Sequence, residues 1–321
     1  MILAGDVGGT KTRLALATPD AGGLRLSQVE VCESARYTGL EAIVEQYLAG
    51  AQATIERACF GVAGPVLAGE ARITNLPWRL SEEGLRRSLG IERVWLLNDL
   101  QALAYAVPVL RPEDRAVLQE GAPDPTGAIG ILAPGTGLGQ GYLVWDGERY
   151  RPGASEGGHT DFAPADALQT RLLEHLRAEY GHVSWERVLS GPGLYNIYRF
   201  LRASGGMEPA WVAERLAEGD PSATISALAG RDPLCAQALD VFAAILGAQA
   251  GNLALTLMAT GGIYLGGGIP PKILSKLGDG TFMRAFRDKG RLAPVLERVP
   301  VYVIRSDQAP LVGAAACAVQ R

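Results

Sequence analysis

The sequence has few cysteines, few histidines and little lysine. Four cysteines occur in 321 residues, at Cys32, Cys59, Cys235 and Cys317. None forms a Cys-x-x-Cys pair and all four have apolar neighbours in the sequence, which predicts buried free thiols in a reducing compartment and not disulfides. Lys and Arg together number 30 against 34 Asp and Glu, and they form no dense cluster. The charge pattern therefore argues against a nucleic acid or an anionic membrane as the main partner.

Long uninterrupted apolar runs are also missing. Residues 2–6 follow the first methionine directly, with no basic region leading into a long apolar stretch, so no secretory signal is expected. The most apolar stretch, residues 242–257, is interrupted by Gln249 and Asn252 and is short for a membrane span. It fits a buried core helix better, and we expect a cytoplasmic protein without a membrane partner.

Glycine, in contrast, is abundant. It accounts for 41 of the 321 residues, against a usual share of about 7%. With 48% hydrophobic and 20% charged residues the chain has the composition of a folded protein, which excludes overall disorder. Its length suits two domains or one large one, with a sizeable core.

Strand and helix patterns alternate along the chain in two halves that begin alike. Each half opens with a strand, a glycine-rich turn and a second strand, and Pro108–Asp114 is a candidate boundary because proline and charge concentrate there. This alternation predicts the α/β class with mixed sheets. The patterns predict strands over 1–4, 12–17, 24–32, 57–62, 93–97, 128–133, 141–145, 263–265 and 301–304, and helices over 40–48, 81–89, 100–107, 165–179, 193–202, 209–218, 233–257 and 311–319.

Two glycine-rich turns, at residues 5–12 and 135–141, match neither common nucleotide fingerprint. A Walker A loop needs glycine before Lys11, where Thr10 stands, and it must open a helix, whereas residues 12–17 alternate like a strand. A tight hairpin of glycine and threonine still exposes several N–H groups and lets a polyanion come close. The turns therefore predict phosphate binding, with ordinary hairpins as the alternative.

Further residues support that prediction. Asp6 places a carboxylate beside the first turn, which makes electrostatic sense if a divalent cation stands between it and a phosphate. Thr10 and Thr136 add hydroxyl donors, and Gly266-Gly267-Gly268 forms a third glycine cluster.

Asn98 and Asp99 follow the apolar run 94–97. The carboxyl end of a buried strand is where α/β proteins place their ligands. An aspartate there is suited to accept a proton from a hydroxyl nucleophile, and Asn98 offers both a donor and an acceptor. The alternative is that Asp99 only caps the helix that follows.

Glycines surround a charged pair in Glu156-Gly157-Gly158-His159, which indicates close approach of a small ligand. A structural histidine is the alternative for His159. Glu186 is the third candidate, and its local context favours a surface glutamate beside Arg187.

These motifs occur in an order that closely resembles the bacterial glucokinase family, within the actin/hexokinase/Hsp70 ATPase superfamily. The resemblance covers nearly the whole chain. It rests on Gly5-Asp6-Val7-Gly8-Gly9-Thr10, Leu97-Asn98-Asp99, Gly135-Thr136-Gly137-Leu138-Gly139, Glu156-Gly157-Gly158-His159-Thr160-Asp161-Phe162, Glu186-Arg187-Val188-Leu189-Ser190-Gly191-Pro192-Gly193-Leu194, Gly266-Gly267-Gly268-Ile269 and Leu311-Val312-Gly313.

The resemblance implies a two-domain actin-like ATPase (ribonuclease H-like) α/β fold with a cleft between the domains. The small domain would comprise residues 1–108, completed by the C-terminal helix 302–321, and the large domain residues 109–301. It also implies that ATP, with Mg²⁺, phosphorylates the 6-hydroxyl of D-glucose to glucose 6-phosphate, the first step of glycolysis, in a homodimer.

Residue roles follow from the same resemblance. Asp99 would be the general base and would bind the sugar together with four further ligands. The phosphate-binding turns and the adenosine pocket would supply the nucleotide contacts, and Asp6 would face the metal. The implied sugar ligands are Asn98, Asp99, Glu156, His159 and Glu186; the implied nucleotide contacts are Gly5, Asp6, Val7, Gly8, Gly9, Thr10, Gly135, Thr136, Gly137 and Gly267.

The sequence departs from the family pattern at two places, and other classes of protein remain as alternatives to the glucokinase family. Lys11 stands where some members carry asparagine, and Ser155 stands where glycine is frequent. The related ROK sugar kinases carry a zinc-binding cysteine cluster after their Glu-x-Gly-His motif, and its lack here disfavours that group and zinc with it. A sugar-sensing transcriptional regulator would need a helix-turn-helix extension ahead of Met1, which we do not expect. A filament-forming or chaperone-type ATPase would not need the sugar residues. The choice of hexose, and of ATP over ADP or polyphosphate, stays open.

Overall fold

The computed structural model describes residues 1–20, 23–51, 53–153 and 155–321. Contacts divide the chain into two compact units. The N-terminal unit comprises Met1–Asp114 with Ser306–Arg321, and the central unit comprises Arg115–Arg305.

The secondary structure is mixed α/β throughout, as the alternating patterns predict. The first 114 residues contain β1 (Ile2–Val7), β2 (Lys11–Asp20), β3 (Gly23–Glu33), α1 (Leu40–Ala51), β4 (Arg57–Val62), β5 (Val66–Leu67), β6 (Glu70–Arg72), β7 (Arg79–Ser81), α2 (Glu82–Leu89), β8 (Arg93–Asn98) and α3 (Asp99–Ala106). The rest of the chain contains β9 (Arg115–Gln119), β10 (Ile129–Pro134), β11 (Leu138–Trp145), β12 (Tyr150–Gly153), α4 (Ala167–Tyr180), α5 (Gly191–Ala203), α6 (Ala210–Glu218), α7 (Pro221–Leu228), α8 (Pro233–Leu257), β13 (Gly262–Leu265), α9 (Leu274–Leu277), α10 (Thr281–Arg287), α11 (Ala293–Arg298), β14 (Val301–Ile304) and α12 (Ala309–Gln320).

A five-stranded sheet in the order β3-β2-β1-β4-β8 forms the centre of the N-terminal unit. Side chains alternate across it because successive residues of a strand point to opposite faces. On β1, Leu3 joins the cluster built with α1 and α2, whereas Ile2 and Ala4 join the cluster built with α3 and α12. The second cluster is rich in alanine, which lets α12 and α3 pack closely: a methyl group added at Gly313 would collide with the carbonyl oxygen of Ala102.

The central unit contains a six-stranded sheet in the order β12-β11-β10-β13-β14-β9. Its first three strands are antiparallel neighbours, and β10, β13 and β14 run parallel. The order β3-β2-β1-β4-β8 repeats the same directions in the N-terminal unit. The predicted likeness of the two halves is therefore confirmed as a shared topology. The first glycine-rich turn joins β1 to β2, and the second joins the equivalent strands β10 and β11.

The long helix α8 lies in the core of the central unit. Its N-cap is Asp232, whose Oδ1 accepts a hydrogen bond from the Cys235 N–H at 2.8 Å. Within the described ranges it is the one helix long and apolar enough to cross a membrane, but 78% of its most apolar window is buried inside the protein. The predicted core helix is confirmed, because its apolar surface is used for packing within the fold.

The cysteines are free thiols, as predicted, but they are not all buried. Cys59, Cys235 and Cys317 are buried, whereas Cys32 is only partly so. Cys32 lies on β3, the edge strand of its sheet, where one side of the strand has no neighbouring strand to cover it. The prediction of burial is therefore wrong for Cys32.

Candidate functional site

The first glycine-rich turn is the hairpin between β1 and β2. The Gly8 N–H donates to the Lys11 carbonyl at 2.9 Å, and the Ser34 hydroxyl donates to the Gly8 carbonyl at 2.8 Å. A side chain at Gly9 would collide with the carbonyl oxygen of Thr74. The Ser34 hydroxyl and the Thr74 carbonyl therefore hold the turn on one side, and neither Gly8 nor Gly9 has a side chain that would hinder a ligand.

Two residues predicted with this turn have other surroundings. Gly5 and Val7 lie inside β1, and Val7 is fully buried. Gly5 is required by packing, because a methyl group there would collide with the ring of Phe60. Thr10 is exposed at the tip of the hairpin. A ligand at the turn therefore meets Gly8, Gly9 and Thr10 directly, whereas Gly5 and Val7 act by shaping the strand.

Asp6 lies at the end of β1 beside Arg13 of β2. The guanidinium Nη1 is 3.2 Å from Asp6 Oδ2, and its Nη2 is 3.6 Å from Asp307 Oδ2. Burial raises the pKa of Asp6 above its usual value, and the Arg13 charge opposes that rise. The ion pair with Arg13 fixes the orientation of the Asp6 carboxylate at the base of the turn.

The single carboxylate of Asp6 fits a magnesium ion only if other ligands come from outside the protein. Over the described ranges, no group of three or more His, Cys, Asp or Glu side chains could hold a metal ion. Magnesium bound with a nucleotide needs only one or two protein carboxylates, because phosphates and water complete its octahedral shell. Asp6 therefore fits a metal that arrives with the nucleotide, and not a resident metal centre.

Asn98 and Asp99 lie at the junction of β8 and α3. The side-chain oxygen of Asn98 accepts from the Gln101 N–H at 2.6 Å, and the Gln101 side chain accepts from the Asn98 N–H at 3.3 Å. Asn98 is therefore the N-cap, in a capping box, and the alternative that Asp99 caps the helix is wrong. The cap occupies one of the two lone pairs of the Asn98 oxygen, and the NH₂ group of the same side chain can donate to a ligand.

Asp99 is the first residue of α3, and its side chain reaches solvent. Surrounding protein atoms remove part of its hydration and raise the pKa of the carboxyl, while the Leu100 N–H, which donates to its Oδ1 at 2.8 Å, opposes the rise. A raised pKa brings a carboxylate closer to the range in which it is effective as a general base near neutral pH.

In the central unit, three of the predicted sugar ligands come together. His159 Nε2 lies 3.9 Å from Glu156 Oε2, and His159 Nδ1 lies 4.0 Å from Glu186 Oε1. The Glu156 side chain is 91% exposed and that of His159 61%. The glycines between them are required by packing: side chains at Gly157 and Gly158 would collide with strand β11. The group presents two carboxylates and an imidazole to solvent at one place.

Glu186 has a more specific environment than its local sequence indicates. Its Oε2 accepts a hydrogen bond from the Leu138 N–H at 2.9 Å. The neighbouring Arg187 instead places its guanidinium 4.2 Å from the centre of the Tyr180 ring. The interpretation of Glu186 as a surface glutamate beside Arg187 is therefore wrong.

The second glycine-rich turn joins β10 to β11 and borders a cavity of about 780 Å³. The Gly135 N–H donates to the Gly137 carbonyl, and the Gly191 N–H at the start of α5 donates to the Gly135 carbonyl, both at 2.8 Å. The cavity lining includes Gly135, Thr136, Pro192, Leu194, Tyr195, Ser222, Gly268, Ile269 and Lys272. Such a volume and a largely apolar lining suit a small organic ligand.

The glycine cluster after β13 shapes the chain at Gly267 and lines the cavity at Gly268. Gly267 has a positive φ of 78°, and a side chain there would come within 2.6 Å of the Pro134 carbonyl oxygen. It therefore allows the chain to turn against the end of β10, while Gly268 lines the cavity. Residues of α5 and α7 complete the lining, and sequence reasoning missed them because they lie far along the chain from the glycine turns.

Comparison with known proteins identifies the family. The glucokinase family model matches residues 3–321. The chain belongs to the glucokinase family. A glucokinase from Nostoc punctiforme is 44% identical to it over 99% of this chain and 98% of its own. This confirms the family predicted from the ordered motifs.

Solved structures give the same result for the fold. The glucokinase of an Antarctic psychrotroph superposes with a TM-score of 0.91 at 35% identity, over 100% of this chain and 99% of that one. A ROK family glucokinase from Streptomyces griseus, solved in complex with glucose and AMPPNP, has a TM-score of 0.66 at 24% identity, over 100% of this chain and 99% of that one. The second likeness shows a shared fold, in a more distant glucokinase.

Proposed function

We propose that this chain transfers the terminal phosphoryl group of ATP to the 6-hydroxyl of D-glucose and forms glucose 6-phosphate, the first step of glycolysis. Membership of the glucokinase family supports the reaction, and the glucose and AMPPNP in the Streptomyces griseus structure support the substrate pair. We also propose that the two units are the small and large domains of an actin-like ATPase fold with a cleft between them.

One observation carries the proposal. Glu156, His159 and Glu186 meet at the Leu138 end of the turn at residues 135–138, and Gly135 and Thr136 of the same turn line the cavity. Two carboxylates and an imidazole suit the several hydroxyls of a sugar, since each can accept or donate a directional hydrogen bond. A phosphate chain that starts in the cavity and follows the turn would end next to the sugar, as phosphoryl transfer requires.

The cavity suits the adenosine part of the nucleotide. Leu194, Tyr195 and Ile269 provide apolar and aromatic surface for a purine ring, and Lys272 provides a positive charge at the wall. The N–H groups of Gly135–Gly137, and those of Gly8–Thr10 in the N-terminal unit, are proposed as the two phosphate-binding turns.

Positioning and charge neutralisation supply most of the rate in phosphoryl transfer. When Mg²⁺ is bound with ATP it neutralises charge on the phosphates, and we propose that Asp6 faces it. Asp99 accepts the proton of the 6-hydroxyl as the new O–P bond forms, and the Asn98 amide donates to a sugar oxygen. Asp99 thus needs to be ionised in the active enzyme, which its exposed side chain permits.

A coupled assay with a panel of hexoses and three donors tests the proposal. We expect turnover with glucose and ATP, and much lower rates with ADP or polyphosphate. Absence of activity with every hexose would contradict it, whereas a preference for another hexose or amino sugar would correct only the substrate. We further propose a cytoplasmic homodimer, and light scattering on the purified chain measures that oligomeric state.

A further inference from the structure

Glu186 contacts two different parts of the central unit with its two carboxylate oxygens. Oε2 accepts from the Leu138 N–H at 2.9 Å, and a methyl group at Gly137 would come within 2.5 Å of the same oxygen. Oε1 faces His159, with Nδ1 4.0 Å away. One side chain therefore lies against both the phosphate-binding turn and the proposed sugar ligands.

The segment 186–191, which carries Glu186, is also hydrogen-bonded to the turn at residues 135–138 at a second point. The Gly191 N–H donates to the Gly135 carbonyl at 2.8 Å, so that the turn is held at both ends, at Gly135 and at Leu138. Ser190 stiffens this segment, because its hydroxyl donates to the Glu186 carbonyl at 2.7 Å and accepts from the Gly193 N–H at 3.0 Å. The same segment continues into Leu194 and Tyr195, which line the cavity.

We propose that Glu186 is a positioning residue that couples the sugar subsite to the phosphate-binding turn at residues 135–138. The inference rests on the proposed function. A sugar hydroxyl that donates to Oε1 fixes the carboxylate, whose other oxygen then holds the Leu138 N–H and keeps the turn ordered for the nucleotide. Since a coupling of this kind is reciprocal, the nucleotide strengthens sugar binding by the same factor.

Equilibrium binding of a non-hydrolysable ATP analogue, measured by calorimetry with and without glucose, tests the coupling. Glu186→Ala should weaken nucleotide binding about tenfold in the absence of sugar, because a hydrogen bond between a carboxylate and the turn is lost. Glu156→Ala is the matched control: it removes a carboxylate of the same sugar group that is 91% exposed, and nucleotide affinity should stay within about twofold. In the wild-type protein glucose should tighten nucleotide binding, and in Glu186→Ala this effect should be absent.

Two further variants separate positioning from a general loss of structure. Glu186→Gln keeps an oxygen that can accept from the Leu138 N–H, so it should recover most of the nucleotide affinity without sugar. Gly137→Ala pushes a methyl group against Oε2 and should weaken nucleotide binding in the wild-type background. In the Glu186→Ala background the same change should add little, because contacting residues give non-additive effects.

The two proposals fail in different ways. Wild-type nucleotide affinity in Glu186→Ala, with glucose affinity reduced, would overturn the coupling and leave Glu186 as a sugar ligand only. Additive effects of Gly137→Ala and Glu186→Ala would also overturn it. The proposed function fails instead in the wild-type protein, if that protein binds the nucleotide analogue but no hexose.

Discussion

Replacing Asp99 by asparagine is the sharpest test of the proposed chemistry, because the structure shows that little else should change. Asparagine has the same shape, and its amide oxygen can accept the hydrogen bond that the Leu100 N–H donates at 2.8 Å. The cap of α3 is formed by Asn98 and Gln101 and does not involve the Asp99 side chain. The variant therefore isolates the ability to take up a proton.

The expected loss can be estimated from the role of the group. A general base contributes about 10²- to 10⁴-fold to a rate, which corresponds to about 3–5 kcal/mol in the activation barrier. We expect kcat of Asp99→Asn to fall by that factor while the dissociation constant of glucose changes by less than about fivefold, since one amide replaces one carboxylate among five sugar ligands.

The pH dependence of the wild-type enzyme follows from the raised pKa of Asp99. The rate should fall on the acid side at a pH above the ordinary aspartate pKa, and this limb should become weaker in Asp99→Asn, in which only Asp6 keeps a raised pKa among the two aspartates. The folded state holds the Asp99 proton more tightly than the unfolded chain does, so ionisation of this group lowers stability as pH rises. Asp99→Asn should therefore melt no lower than the wild type at neutral pH, and its advantage should disappear below the ordinary aspartate pKa.

A coupled assay of glucose 6-phosphate formation measures kcat, calorimetry measures glucose affinity, and thermal unfolding from about pH 3 to pH 9 measures stability on both sides of the ordinary aspartate pKa. Near-normal turnover by Asp99→Asn would refute the assignment of the base. A large loss of glucose affinity with unchanged kcat would show instead that Asp99 acts in sugar binding alone.

Two stability predictions follow from packing and capping. Gly313→Ala should destabilise the protein by about 1–3 kcal/mol or more, because its methyl group meets the carbonyl oxygen of Ala102 and neither helix can easily move. Urea unfolding measures this loss of stability. The control Gly230→Ala places its methyl group in open space and should change the stability little. Ser190→Ala should cost about 1–2 kcal/mol, because the buried Gly193 N–H loses its acceptor; unfolding at wild-type stability would mean that water or another group replaces the cap.

The sequence predicts those elements whose ends are marked by local chemistry. Helix α2 is predicted because Ser81 caps it, with its hydroxyl accepting from the Gly84 N–H at 3.0 Å, and because Gly90 ends it with a left-handed φ of 65°. Helix α8 is predicted at its observed bounds, since an apolar pattern of 25 residues begins at Pro233. In such places the information lies within a few residues of the boundary.

Other elements are too short for a periodic pattern, even where a cap such as Asp220 of α7 marks the start. Strands β5, β6 and β7 contain two or three residues each, too few for a period-two pattern, and they are missing from the sequence-based prediction. Helices α7 and α10 are missing too, because their eight and seven residues are short for a recognisable apolar face.

The candidate site shows the same limit. The motifs select Asp99, Glu156 and His159, whose side chains reach solvent, but they suggest Asp99 as the possible cap of α3, whereas Asn98 is the cap. The role of Glu186 is hidden from local reasoning, because its partner Leu138 is 48 residues away along the chain. Only the folded arrangement brings the two together.

The capping box at Asn98 fixes the direction in which this residue can recognise a ligand. The bond from the Gln101 N–H fixes the amide plane of Asn98, and the NH₂ group in that plane can only donate. A hydroxyl that accepts from Asn98 keeps its own hydrogen free, and the neighbouring carboxylate of Asp99 can only accept. A hydroxyl group at the start of α3 can therefore accept a hydrogen bond from Asn98 with its lone pair and donate its proton to Asp99.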